Sequence, residues 1–223
     1  MLYITQKHKE SDMKNDNVKV NEIKLLDAIK NVVKEDVTLK KNISLSKWLE
    51  LKKALSPINN YITKELTNRF IEVLPKLFKN TSNIFENIDI KKLKDNNSIV
   101  NVNANGYDFV YSSVTAEVKA NIPYEKKKYG GSQKTGLKKD INGLLSPIKK
   151  TKDKHDPTQD YKFLIVLDYK YSDYDTSKAV DDLIKNEERV KKIEDLNNPP
   201  NLSTNKVYII MLEVQESLSK DIE

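Results

Sequence analysis

The chain has no cysteine, which excludes disulfides, thiolate metal sites and a cysteine nucleophile. Arginine is almost absent: Arg69 and Arg189 are the only two. Any reading of bases would therefore fall mainly to Lys, Asn, Gln and Ser rather than to the arginine–guanine fork. No apolar run approaches the length of a membrane span, and the opening MLYITQKHKE lacks the apolar centre of a signal peptide. An intracellular, cytoplasmic chain is the default expectation. Glycine is scarce too, and all five fall between Gly106 and Gly143. Glycine supplies unusual backbone angles or close approach to a ligand, so that window is the unusual part of the sequence.

Hydrophobic residues make up 38% of the 223 residues and charged residues 32%. This is enough to bury a core as one domain, or as a domain with a helical appendage. The net charge is +6, but it is concentrated. Between Lys119 and Lys154 eleven lysines face three acids, a larger surplus than that of the whole chain. A concentrated positive field suits a polyanion such as a nucleic-acid backbone. For a charge run taken alone, a solvated loop is the plainer reading.

Helical spacing runs over 21–34, with Ile23, Leu26, Ile29 and Val33 on one face. Ser46 can cap a short helix carrying Trp48, Leu49 and Leu55 that stops before Pro57. A longer helix is predicted over 61–78, kinked by Pro75 near its end. SIVNVNA (98–104) reads as a strand, followed by the hairpin GYDFVYSSVTAEVKANIP (106–123). A helix is predicted from Thr135 or Gly136, then a doubly covered central strand YKFLIVLDY (161–169). A helix from about Lys178 to Glu194 and a second buried strand KVYIIMLEV (206–214) complete the order. The expected fold class is α/β, with a mixed central sheet flanked by helices and a mainly helical region over 1–80. It is read as a single domain with its core over 98–214.

The hairpin can be counted. With Ser112 and Ser113 at its turn, facing positions have numbers that sum to a constant, so Tyr111 opposes Val114 and Asp108 opposes Glu117. Directly opposed side chains share a face with Cβ atoms about 5 Å apart, and Lys119 lies on that face. Phe109, Ala116, Val118 and Ala120 form the apolar face behind. Opposed carboxylates destabilise a sheet unless something compensates them. A divalent cation would, and Mg²⁺ favours one or two carboxylates completed by water and phosphate oxygens. These are the parts of metal-assisted phosphodiester hydrolysis, with the Lys119 ammonium stabilising developing charge. The alternative is a charged strand pair that simply faces solvent.

The Glu-x-Lys spacing alone carries nothing, since it or its Asp form also begins at Asp12, Glu22, Glu50, Asp89, Glu125, Asp160 and Asp168. Asp168-Tyr169-Lys170 is the serious decoy, because it ends a strand. Its upstream acid, Asp160, lies at the other end of that strand, roughly 25 Å away at about 3.3 Å per residue. GGSQKTG lacks the order of a phosphate loop. His8 and His155 sit in polar flanks without ligand spacing and read as surface residues.

GYD followed by AEVKANIP resembles the PD-(D/E)xK nuclease motif of Type II restriction endonucleases, over roughly 98–170. Tyr107 stands where the name-giving proline would be. The resemblance implies a restriction-endonuclease-like core in which Asp108, Glu117 and Lys119 are catalytic. It implies that Asp108, Glu117 and the Val118 backbone carbonyl hold Mg²⁺, with Glu65 or Glu72 as an additional ligand from the preceding helix. The segment YGGSQKTGLKKDINGLLSPIKK is similar to the glycine-containing loop and DNA-facing helix of several restriction enzymes. That makes Lys126, Lys127, Lys128, Ser132, Gln133, Lys134, Lys138 and Lys139 the candidate DNA contacts. The implied activity is sequence-specific cleavage of double-stranded DNA by a homodimer, with a cognate DNA methyltransferase in the same system. The alternatives are a repair or junction-resolving nuclease, and a non-cleaving nucleic-acid-binding module on the same scaffold.

Overall fold

The computed structural model describes residues 45–81, 85, 89–95, 106–124, 126–147, 155–170 and 173–214. The helix expected over 21–34, the strand at 98–104 and His8 lie outside these residues. The chain divides into two units, 1–55 and 56–223, and the sheet belongs to the second. The described helices and strands are α1 (Leu45–Phe78), α2 (Ile90–Asp95), β1 (Phe109–Tyr111), β2 (Val114–Lys119), α3 (Gly131–Leu145), β3 (Tyr161–Leu167), α4 (Thr176–Ile184), β4 (Val190–Ile193) and β5 (Val207–Leu212). No described helix is long and apolar enough to cross a membrane.

The five strands form one mixed sheet in the order β1-β2-β3-β5-β4. Only the β1–β2 pair is antiparallel; β2–β3, β3–β5 and β4–β5 are parallel. The class is therefore mixed α/β, with helices on both faces of the sheet. Strand periodicity assigns the faces. Phe109, Ala116, Val118, Phe163, Ile165, Tyr208 and Ile210 pack with Leu66, Phe70, Leu74 and Phe78 of α1. Leu164, Val166, Val207 and Ile209 pack with Leu137, Ile141 and Leu144 of α3 and with Ala179, Val180 and Leu183 of α4. The first core is rich in aromatics: the Phe70 ring lies 5.4 Å from Phe109 and 5.2 Å from Phe163.

Three expectations are corrected. α1 continues through Pro57, where a stop was expected, and runs past Pro75 to Phe78 as expected. An interior proline costs a helix about 3 kcal/mol, but most helical stability comes from packing an apolar face. Leu66, Phe70, Ile71, Leu74 and Leu77 are fully buried along α1. The helix expected to reach Glu194 ends at Ile184. Val190–Ile193 is instead an edge strand paired with β5, in which Val190 and Ile193 are buried. Charged side chains on such an edge deter pairing with other chains. His155 is not a free surface residue: its Nε2 lies 2.6 Å from Asp160 Oδ2 and 2.9 Å from Thr115 Oγ1.

Lys162 is buried within β3. Its ammonium donates to the carbonyls of Thr158 at 3.1 Å, Asp160 at 2.8 Å and Thr204, which satisfies the charge at the start of the central strand. Truncating Phe163, which is fully buried among Phe70, Phe78 and Tyr208, is expected to cost about 3–5 kcal/mol. A urea midpoint for Phe163→Ala lowered by that free energy divided by the slope, with the slope itself unchanged, checks it.

Candidate active site

The hairpin has the register counted from its sequence. Phe109 pairs with Ala116, Val110 with Thr115 and Tyr111 with Val114, leaving Ser112-Ser113 as a two-residue loop. Ser112 takes a left-handed φ of 51°, as expected where a tight turn must match the twist of its strands. On the far side, Gly106 has φ 82°, an angle that suits glycine, just before Tyr107 and Asp108. Tyr107 is buried, and its hydroxyl donates to the Gly143 carbonyl of α3 at 3.2 Å. Burial first, and then the charge of Glu117, push its pKa up to about 12.

Asp108 stands one residue ahead of β1, and its Oδ2 accepts the Val118 N–H at 2.8 Å. The side chain thus continues the strand pairing and pins the carboxylate beside Glu117. Lys119 Nζ lies 3.0 Å from Glu117 Oε2 and 3.8 Å from Asp108 Oδ2. The three residues inferred from the sequence are together. Glu117 and Lys119 pair with Leu164 and Val166 of β3, on the face covered by α3.

That helix contributes a residue the sequence reading missed. Asp140 Oδ2 lies 3.4 Å from Lys119 Nζ, so three carboxylates surround one ammonium. The signal was present: Asp140 follows Leu137 by three and precedes Leu144 by four, on the buried stripe of an amphipathic helix.

Burial drives the electrostatics. The Glu117 side chain is 13% exposed. Desolvation, opposed by Lys119 and assisted by Asp108, pushes its pKa up to about 8. Burial also raises Asp140, against the pull of Lys119. It works against the Lys119 ammonium, yet Glu117, Asp108 and Asp140 outweigh it and raise that pKa.

The comparisons add no relative. No family model, curated protein or solved structure matches the chain. The chemistry of the site must be taken from its own residues.

Glu72 pairs with Arg69 at 3.0 Å and with Lys94, on the helix that packs against the opposite face of the sheet. The Lys94 hydrogen bond is the largest influence holding its pKa below the usual range. Glu65 is partly buried on the same helix. No described contact joins either to Asp108 or Glu117. Lys126, Lys127 and Lys128 are exposed, and Lys126 is paired with Asp173. Both ends of the Gln133 amide hold the loop: Oε1 accepts the Gly130 N–H at 3.0 Å and Nε2 donates to the Ile122 carbonyl at 2.9 Å. Lys134 pairs with Asp182 at 2.9 Å, whereas Ser132, Lys138 and Lys139 are exposed on α3.

The decoy acquires a different partner. Lys170 contacts Asp168 at 3.3 Å and also Glu213, at the ends of adjacent parallel strands. These two acids, with Arg69 and Glu72, line a cleft of about 390 Å³. Asp168 is mostly buried, but Lys170 and Glu213 are 66% and 53% exposed, so water screens the Lys170 ammonium, unlike that of Lys119.

Two carboxylates with hard oxygen donors, held at one ammonium, fit the usual protein share of a Mg²⁺ shell. Among the described residues no group of three or more His, Asp or Glu is arranged to hold a metal by itself. Water and substrate oxygens would have to complete the shell.

The raised Glu117 pKa fixes a sign. Between its ordinary value of 4.5 and about 8, the folded chain holds a proton that the unfolded chain has lost. Stability therefore falls as pH rises through that interval. Without divalent cations, Glu117→Gln should be more stable than the unmodified chain at pH 8, by a few kcal/mol at most, and close to it near pH 4. Denaturant titrations at the two pH values check this.

Proposed function

We propose that the chain is a Mg²⁺-dependent endonuclease for double-stranded DNA, of the restriction type, with a restriction-endonuclease-like core. One observation carries the reading: the hairpin register and the Asp108–Val118 hydrogen bond converge Asp108, Glu117 and Lys119 on a mostly buried point. A strand pair that merely faced solvent would not bury opposed acids, nor hold one of them above its ordinary pKa.

Asp108 and Glu117, with the Val118 carbonyl between Glu117 and Lys119, would hold the cation. When bound, Mg²⁺ polarises a phosphoryl oxygen and acidifies a water. In the ion-free site burial favours the protonated form of Glu117, and a bound cation would favour its ionised form. Lys119 places positive charge where negative charge develops on the phosphate. A water oxygen bonds to phosphorus and its proton passes to solvent, the ester oxygen–phosphorus bond breaks, and solvent protonates the departing oxygen. Lys127, Lys128, Lys138 and Lys139, exposed on the loop and helix after β2, supply the sequence-independent attraction for the backbone. A homodimer would present two such sites to the two strands, and a methyltransferase would protect host DNA.

Incubation with phage DNA and Mg²⁺ tests the reading. Discrete fragments support a sequence-specific nuclease, a smear a nonspecific one, and intact DNA the non-cleaving module. Glu117→Ala and Lys119→Ala should each lower cleavage by about 100-fold or more while DNA binding in Ca²⁺ persists; native-rate cleavage by either would unseat the site. Replacing Lys127 and Lys128 by Ala should reduce the slope of log binding constant against log salt by about 2. An unchanged slope would return the loop to solvent.

A further inference from the structure

The strand carboxylates and Lys119 are an incomplete charge set, because α3 brings a third acid to the same ammonium. Asp140 shares its helix with Leu137, Ile141 and Leu144, all buried against the sheet. Its side chain is 25% exposed, and its ion-pair partner among the described residues is Lys119. An acid in such a position is unfavourable unless it is paired.

Counting charge gives this acid a purpose. Asp108, Glu117 and Asp140 together carry three negative charges when ionised, and Lys119 carries one positive charge. One divalent cation closes the set to zero. A cation held by Asp108 and Glu117 would also repel Lys119, whose Nζ is 3.0 Å from Glu117 Oε2. With only those two carboxylates for company, the ammonium would compete with the cation or be expelled from the site. Asp140 reaches it from a separate element and offers a partner the cation need not share.

We propose that Asp140 is a positioning residue that retains the Lys119 ammonium beside Asp108 and Glu117 when those carboxylates hold a divalent cation. This rests on the metal-dependent reading of the site. It also distinguishes Asp140 from a third ligand, since the two roles differ in whether the residue acts through Lys119.

A double-mutant cycle on the full chain, Asp140→Asn against Lys119→Ala, separates them. Ca²⁺ binding is measured by calorimetry without DNA, and single-turnover cleavage in Mg²⁺. With Lys119 present, Asp140→Asn should weaken Ca²⁺ binding by about tenfold; with Lys119 replaced, by about twofold or less. Cleavage should show the same non-additivity, and Asp140→Glu should restore most of both. If Lys119→Ala fails to fold without cation, Lys119→Gln takes its place in the cycle. Equal weakening in both backgrounds would make Asp140 a ligand, and no change in either would leave it a packing residue; both overturn the proposal. If Glu117→Gln binds Ca²⁺ as well as the unmodified chain does, the metal site itself is wrong, a failure distinct from missing coupling.

Discussion

The hydrogen bond from the Val118 N–H to the Asp108 carboxylate is where strand pairing ends and the site begins. β1 is only three residues long, and its backbone ladder stops at Phe109. By accepting that N–H at 2.8 Å, Asp108 substitutes for the next backbone partner. A buried N–H must be satisfied, so this bond fixes both the register and the position of a carboxylate. Glu117 follows from β2, and Lys119 from the alternation of side chains along it. A slip of one residue would send all of them to the opposite face, into the core built around Phe70 and Phe163.

The resulting site is electrostatically expensive to fold. Three acids and one lysine are drawn out of water, and Glu117 resists ionisation up to about pH 8. Such a group lowers stability near neutral pH unless a cation completes the set. Perturbed acids of this kind cluster at functional sites. The contrast with Asp168, Glu213 and Lys170 is instructive, because there the lysine and Glu213 stand largely in solvent while Asp168 does not. Composition is shared by the two sets; the burial of the lysine and of a second acid is not.

The hairpin was legible because a two-residue loop leaves one register, and the Ser-Ser pair marked it. β3 and β5 were legible as unbroken apolar runs, which suit strands covered on both faces. β4 was not: the segment around Val190–Ile193 is rich in charge and fits a helix, and only its pairing with β5 makes it a strand. The stop expected before Pro57 does not occur, because local chain stiffness is outweighed by the burial of Leu66, Phe70 and Leu74 farther along the same helix. Gln133 looked like a base reader, but its amide closes a loop, a use that depends on Ile122 and Gly130. Asp140 was readable in principle as an acid on an apolar stripe. His155 was not, since Thr115 lies 40 residues away in sequence.

The central claim is that this hairpin gathers Asp108 and Glu117 in order to hold a divalent cation. Anomalous scattering from crystals soaked in Mn²⁺ tests it most directly. A peak bonded to carboxylate oxygens of both Asp108 and Glu117, at about 2.2 Å, is the expected result. A peak at Asp168 and Glu213 instead, or none beside Glu117 at a pH above 8, would contradict it.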